Sequence, residues 1–141
     1  MFYVKKDVIF YEKPGCAGNK KQKDVLKANG INFEVRSILS TKWDRDRLNC
    51  FFEGLQKDAI VNQFAPKIKG GQIDINNYTK DQLIDLMLED PILIKRPLIQ
   101  VDDIKICGFD IPKLNKALNL KIDTKKEIGT CQSSDSCEIG E

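Results

Sequence analysis

An α/β domain on a mixed sheet is the fold class this sequence predicts, and three observations predict it. Two short runs rich in β-branched and aromatic residues, at 7–12 and 31–39, flank a stretch of helix formers. The middle of the chain carries apolar residues at helical spacing. Two further apolar runs, separated only by Asp102-Asp103, come late and are followed by one more helix signal. The expected order is βαβ, a helical block, then ββα.

Each element has a local reason. Residues 7–12, Asp-Val-Ile-Phe-Tyr-Glu, form a largely buried strand that ends at the turn Lys13-Pro14-Gly15. Residues 18–29 are mostly Lys, Gln, Asp, Val, Leu and Ala, and Asn29-Gly30 supplies the helix stop. Residues 31–39 make a second strand with alternation at Phe33, Val35 and Ser37. Strand, helix and strand over this length give two parallel strands with a right-handed crossover. Thr41-Lys42-Trp43-Asp44 opens a helix on which Leu48, Phe51, Phe52 and Leu55 recur at i, i+3, i+4 and i+7. A shorter helix is expected to carry Ala59, Ile60, Val61 and Phe64 up to Pro66, with residues 67–71 as a loop. Thr79-Lys80-Asp81-Gln82 is a capping box ahead of Leu83, Ile84, Leu86, Met87 and Leu88. Residues 97–101 and 104–107 form a hairpin about Asp102-Asp103, and Asp110 caps a last helix with Pro112 in its first turn. This order matches a thioredoxin-like sheet with helices inserted in its middle and covering both faces. Residues 1–120 are expected to form that domain, and the polar residues 121–141 a flexible tail.

Composition narrows the chemistry. The 141 residues include 23 Lys and Arg, 21 Asp and Glu, no histidine and five cysteines. Without histidine there is no Ser-His or Cys-His pair, no Cys₂His₂ zinc site and no histidine-bound haem. A net charge of +2 does not suit a general nucleic-acid binder. No apolar run reaches membrane-spanning length, and charges interrupt the N-terminal residues where a signal peptide needs an apolar core. An odd number of cysteines cannot all pair internally, so a cytoplasmic protein with mostly reduced thiols is expected. No bound cofactor and no metal site are expected.

Cys16 stands out by position. It follows the first strand and sits at the start of the first helix, where free backbone N–H groups and the positive end of the helix dipole stabilise a thiolate. Residues 1–30 hold seven lysines against three acidic residues. The same N–H groups can hold an oxyanion, with Gly18, Asn19 and Lys20 as the anion-binding residues, and Lys13, Lys20 and Lys21 add nearby positive charge. The competing reading of Cys16 is an inert, buried thiol.

Two blocks, Ile9-Phe10-Tyr11-Glu12-Lys13-Pro14-Gly15-Cys16 and Ile92-Leu93-Ile94-Lys95-Arg96-Pro97-Leu98-Ile99, jointly resemble the ArsC/Spx family of thioredoxin-like proteins. Within it the resemblance is closest to the nitrogenase-associated ArsC-like proteins. Asp90-Pro91 and Gly108-Phe109-Asp110 fit as well, so the likeness spans residues 7–118. The resemblance implies that Cys16 matches the nucleophilic cysteine of arsenate reductases, which attacks arsenate and is discharged by glutathione and glutaredoxin. It implies that Arg96 binds the oxyanion and that Pro97 is a cis-proline packed against the nucleophile loop. Read without the family, Lys95-Arg96 is a solvated strand end and Pro97 a strand-entry proline.

Departures from the family pattern weigh against arsenate. Phe109 stands where arsenate reductases carry a further arginine, and Lys67 is the nearest match to their mid-chain basic residue. Asn at position 19 removes the Cys-x-x-Cys switch of Spx-type regulators. Two functions from different classes follow: a glutathione/glutaredoxin-coupled thiol reductase using Cys16 with Arg96, or a non-enzymatic accessory protein binding a nitrogenase-related or regulatory partner. Cys50 and Cys107 are expected in the core. Cys131 and Cys137 are expected in the tail, where they could pair, resolve an oxidised Cys16, join a metal site or stay idle.

Overall fold

The computed structural model describes residues 7–122. They form a four-stranded sheet in the order β2-β1-β3-β4, with β1 at Val8–Glu12, β2 at Glu34–Ser37, β3 at Leu98–Val101 and β4 at Ile104–Cys107. β1 runs parallel to β2 and antiparallel to β3, and β3 and β4 make the hairpin. The helices are α1 (Ala17–Ala28), α2 (Arg45–Phe52), α3 (Lys57–Ile60), α4 (Pro66–Lys69), α5 (Lys80–Glu89) and α6 (Ile111–Leu118). This is the expected βαβ, helical block and ββα arrangement. None of these helices is long and apolar enough to cross a membrane.

Alternation along β1 divides the core. Val8 and Phe10 point to a cluster with Leu26 of α1 and Leu114 and Ala117 of α6. Ile9 and Tyr11 face the other way, where Leu48, Phe51 and Phe52 of α2 and Leu83, Ile84 and Met87 of α5 pack. Phe10 and Tyr11 are fully buried. Burying an apolar side chain of this size contributes about 1.5–3 kcal/mol, so the central strand anchors both layers.

The capping predictions for α5 and α6 are met atom by atom, while at α2 the cap is Asp44 and not Thr41. Thr79 accepts from the Gln82 N–H at 3.1 Å while the Gln82 side chain accepts from the Thr79 N–H at 2.8 Å. Asp44 accepts from the Arg47 N–H at 2.8 Å, and Asp110 from the Lys113 N–H at 3.2 Å. Asp102 takes a left-handed φ of 52° to close the hairpin, a conformation that Asp adopts more readily than most residues.

Other expectations are corrected. α3 stops at Ile60 because Val61 pairs with Ile94 in an antiparallel bridge and the Asn62 N–H donates to the Leu93 carbonyl at 2.8 Å. Pairing distant in sequence overrides the local helical pattern there. Residues 67–71 are not all loop, since Pro66 starts α4 with its ring in the first turn. β2 is shorter than 31–39 and lies at the sheet edge with Val35 exposed. Cys50 is exposed rather than core: α2 buries Leu48, Phe51 and Phe52, and residue 50 lies two positions from Leu48, roughly 200° around the helix. Cys107 is partly buried, and its Sγ donates to the Ala59 carbonyl at 3.6 Å.

Beyond Leu120 the chain continues against α6. Asn115 donates to the Ile122 carbonyl at 3.0 Å and accepts from the Ile122 N–H at 2.9 Å. Cys131, Cys137 and nearly all of the expected tail lie outside the described residues.

Candidate functional site

β1 delivers the chain into a tight turn at one end of the sheet. Gly15 adopts φ +84°, a left-handed conformation that suits glycine. The turn closes when the Cys16 N–H donates to the Lys13 carbonyl at 3.1 Å. Cys16 is then the N-cap of α1, and its carbonyl accepts from the Lys20 N–H at 3.1 Å. Its backbone is extended (φ −75°, ψ 117°) and its side chain caps no helix N–H. The first turn of α1 contains no acidic residue. The dipole end and first-turn N–H groups of α1 therefore meet no carboxylate from its own sequence. Cys16 is 4% exposed.

A polar stripe on the buried face of α1 fixes this turn. Asn19 accepts from the Lys13 N–H at 3.1 Å through Oδ1 and donates to Gln22 Oε1 at 2.9 Å through Nδ2. Asn19 and Gln22 are both buried, with Gly18 beside them and Leu26 one turn further on. Asn19 thereby ties the loop before the helix to the helix itself, while Lys20 points to solvent. The pattern Cys16, Asn19, Gln22 and Leu26 was legible as one helical face, although polar residues at two of its positions concealed that the face is buried.

Arg96 reaches the same end of the sheet from the other direction. β1 and β3 are antiparallel with Tyr11 opposite Leu98, so the turn after β1 and the segment before β3 emerge side by side. Arg96 and Lys13 are both buried, at 8% and 1% exposure. The Arg96–Pro97 peptide bond is cis, and the Pro97 carbonyl accepts from the Gly108 N–H at 2.8 Å. Lys95 is held by its N–H to the Ile60 carbonyl at 3.0 Å. The turn that leads into Cys16 and α1 and the Arg96-Pro97 segment thus leave the same end of the sheet, and the burial of Lys13 and Gln22 is what sequence reasoning missed.

Two further residues do not add charge to this end of the sheet. Phe109 packs against the cluster of Val8, Phe10 and Leu26. Lys67, on α4, forms an ion pair with Asp90 at 3.5 Å. No group of three or more Cys, Asp and Glu side chains able to hold a metal occurs among the described residues.

Comparison with known proteins extends the geometric picture. The model of the ArsC family matches residues 11–117. An uncharacterized 15.7 kDa protein in the draG 3' region of Rhodospirillum rubrum is 35% identical over 127 residues, covering 90% of this chain and 89% of its own. The regulatory protein MgsR of Bacillus subtilis is 26% identical, over 89% of this chain and 97% of its own. An arsenate reductase of Escherichia coli is 28% identical, over 86% and 93% respectively. Among solved structures, an arsenate reductase from Vibrio cholerae superposes with a TM-score of 0.66 at 21% identity, over 84% of this chain and 100% of that one. That likeness extends to the thioredoxin-like fold.

Proposed function

The chain belongs to the ArsC family, and from that premise we propose that it is a thiol-dependent reductase whose nucleophile is Cys16. The observation that carries the proposal is the placement of Cys16 as the N-cap of α1, at the end of the central strands where Lys13 and Arg96 are buried. A thiolate there gains from the helix dipole and nearby cations, which replace the histidine this chain lacks. Gly18 and Asn19 contribute backbone N–H groups at the first turn, whereas the Lys20 N–H is taken by the Cys16 carbonyl, and Arg96 holds the anionic substrate through its guanidinium. Pro97 shapes the segment that carries Arg96.

With arsenate as substrate, the Cys16 sulfur attacks arsenic and water leaves, giving a thiol–arsenate ester. Glutathione sulfur then attacks the Cys16 sulfur. Arsenic departs as arsenite with the electron pair of the S–As bond, falling from the +5 to the +3 state. Cys16 is left in a mixed disulfide with glutathione. A glutaredoxin thiol removes the glutathionyl group and restores the Cys16 thiol. The relative named arsenate reductase supports this reading.

A second reading keeps the site and drops the turnover. Phe109 packs into the core where arsenate reductases carry another arginine, and a relative is named a regulatory protein. An accessory protein would use the same fold to bind a regulatory or nitrogenase-related partner. A glutathione–glutaredoxin-coupled arsenate assay separates the two. The reductase reading requires turnover that disappears in Cys16→Ser and drops steeply in Arg96→Ala; absence of turnover in the unaltered protein, or turnover that survives Cys16→Ser, overturns it.

A further inference from the structure

A groove of about 410 Å³ opens on the face of the sheet opposite α1, between the strands and α2. Ile9 and Phe51 give it an apolar lining, and Cys50 stands at its wall. Three cations surround it from three elements: Arg36 of β2, Arg47 of α2 and Lys105 of β4. Arg36 pairs with Glu34. Arg47 donates to the Tyr11 hydroxyl at 2.7 Å and lies 5.1 Å from the Trp43 ring centroid, with no carboxylate partner among the described residues. Among the described residues, Lys105 reaches the Asp103 carbonyl at 3.4 Å. Asp46 is the one carboxylate among the lining residues.

We propose that this groove is the docking site of the chain's own segment 127–141. That segment carries Glu127, Asp135, Glu138 and Glu141 and no basic residue, so its charge complements the groove. Ile128 and Ile139 supply apolar side chains for the Ile9 and Phe51 surface.

The route is short. α6 begins beside the Pro97 end of the sheet, where Gly108 bonds Pro97, and its last turn reaches the cluster containing Val8 and Val101 at the hairpin end. Asn115 holds Ile122 there. Lys105 belongs to the hairpin strand at that same end and at the sheet edge. Cys131 is nine residues beyond Ile122. An extended chain of that length spans about 30 Å, enough to pass around the edge of β4.

Docking brings Cys131 and Cys137 to exposed Cys50. Under oxidised glutathione one of the two then joins Cys50. The thiolate of one cysteine attacks oxidised glutathione and forms a mixed disulfide, releasing one glutathione. The second protein thiol displaces the other, so two protein thiols become one disulfide while one oxidised glutathione becomes two reduced. The site is independent of Cys16, which is replaced in the test.

The experiment uses the full chain carrying Cys16→Ser, treated with oxidised glutathione at low ionic strength, followed by non-reducing peptide mapping. The expected product is a disulfide between Cys50 and Cys131 or Cys137. Its rate of formation should fall at least fivefold in 0.5 M NaCl, in Lys105→Glu, and in a chain with Glu127→Gln, Asp135→Asn, Glu138→Gln and Glu141→Gln together. A product confined to Cys131–Cys137, glutathione left on Cys50, or a Cys50 crosslink insensitive to salt and to these substitutions overturns the proposal.

Discussion

Replacing Asn19 with alanine isolates what holds the Cys16 turn in place. The substitution removes the acceptor of the buried Lys13 N–H and the donor to Gln22 Oε1 in one step. A stranded buried donor or acceptor costs about 1–3 kcal/mol, so a loss of about 2 kcal/mol is expected. With a urea slope near 1.5 kcal/mol/M, the unfolding midpoint falls by about 1.3 M. The melting temperature falls by about 8 °C for a domain of this size. Asn29→Ala is the matched control, because Asn29 lies at the far end of the same helix and its amide bonds the Val25 carbonyl at 2.8 Å in the open. Water replaces that bond, and the change should cost less than about 0.5 kcal/mol. Urea unfolding followed by circular dichroism measures both variants. An Asn19→Ala cost no larger than that of Asn29→Ala would refute the claim that a buried amide clamps the turn.

Two other outcomes follow from the described contacts. Thr79→Ala breaks one half of the capping box on α5 and should cost about 1 kcal/mol, read as a lower urea midpoint at unchanged slope, whereas Thr79→Ser should recover most of it. Burial pushes the Cys107 thiol from an ordinary value of 9.0 up to about 12, so the folded state keeps a proton that the unfolded state releases first. The stability this confers is complete below pH 9 and is lost as the pH rises toward 12. A stability profile across that range should be flatter in Cys107→Ala; an unchanged slope in that variant would contradict the assignment.

The strands and the capping signals were open to sequence reasoning because they are local. Asp44, Thr79 and Asp110 each act within three residues of themselves, and the alternation of β1 needs only the period of a strand. What stayed hidden depends on contacts far apart in the chain. α3 ends early because Val61 pairs with Ile94. The exposure of Cys50 follows from which face of α2 meets α5 and the sheet, although the positions of Leu48, Phe51 and Phe52 already pointed away from it. At the site, Cys16, Arg96 and Pro97 were singled out from two sequence blocks, and antiparallel pairing of β1 with β3 is what brings those blocks together. The burial of Lys13, Asn19 and Gln22 had no apolar signature to announce it. Polar residues on a buried helix face become legible only when their partners are seen.

The central claim is that Cys16 is an activated thiol, and its alkylation by iodoacetamide as a function of pH tests that most directly. Peptide-resolved mass spectrometry would follow Cys16 separately from exposed Cys50, which serves as the internal reference. The helix terminus and the buried cations predict an inflection for Cys16 below the value of about 8.5 for a free thiol, against the upward push of its burial. An inflection at or above that value, with Cys16 reacting no faster than Cys50 at neutral pH, would contradict the account.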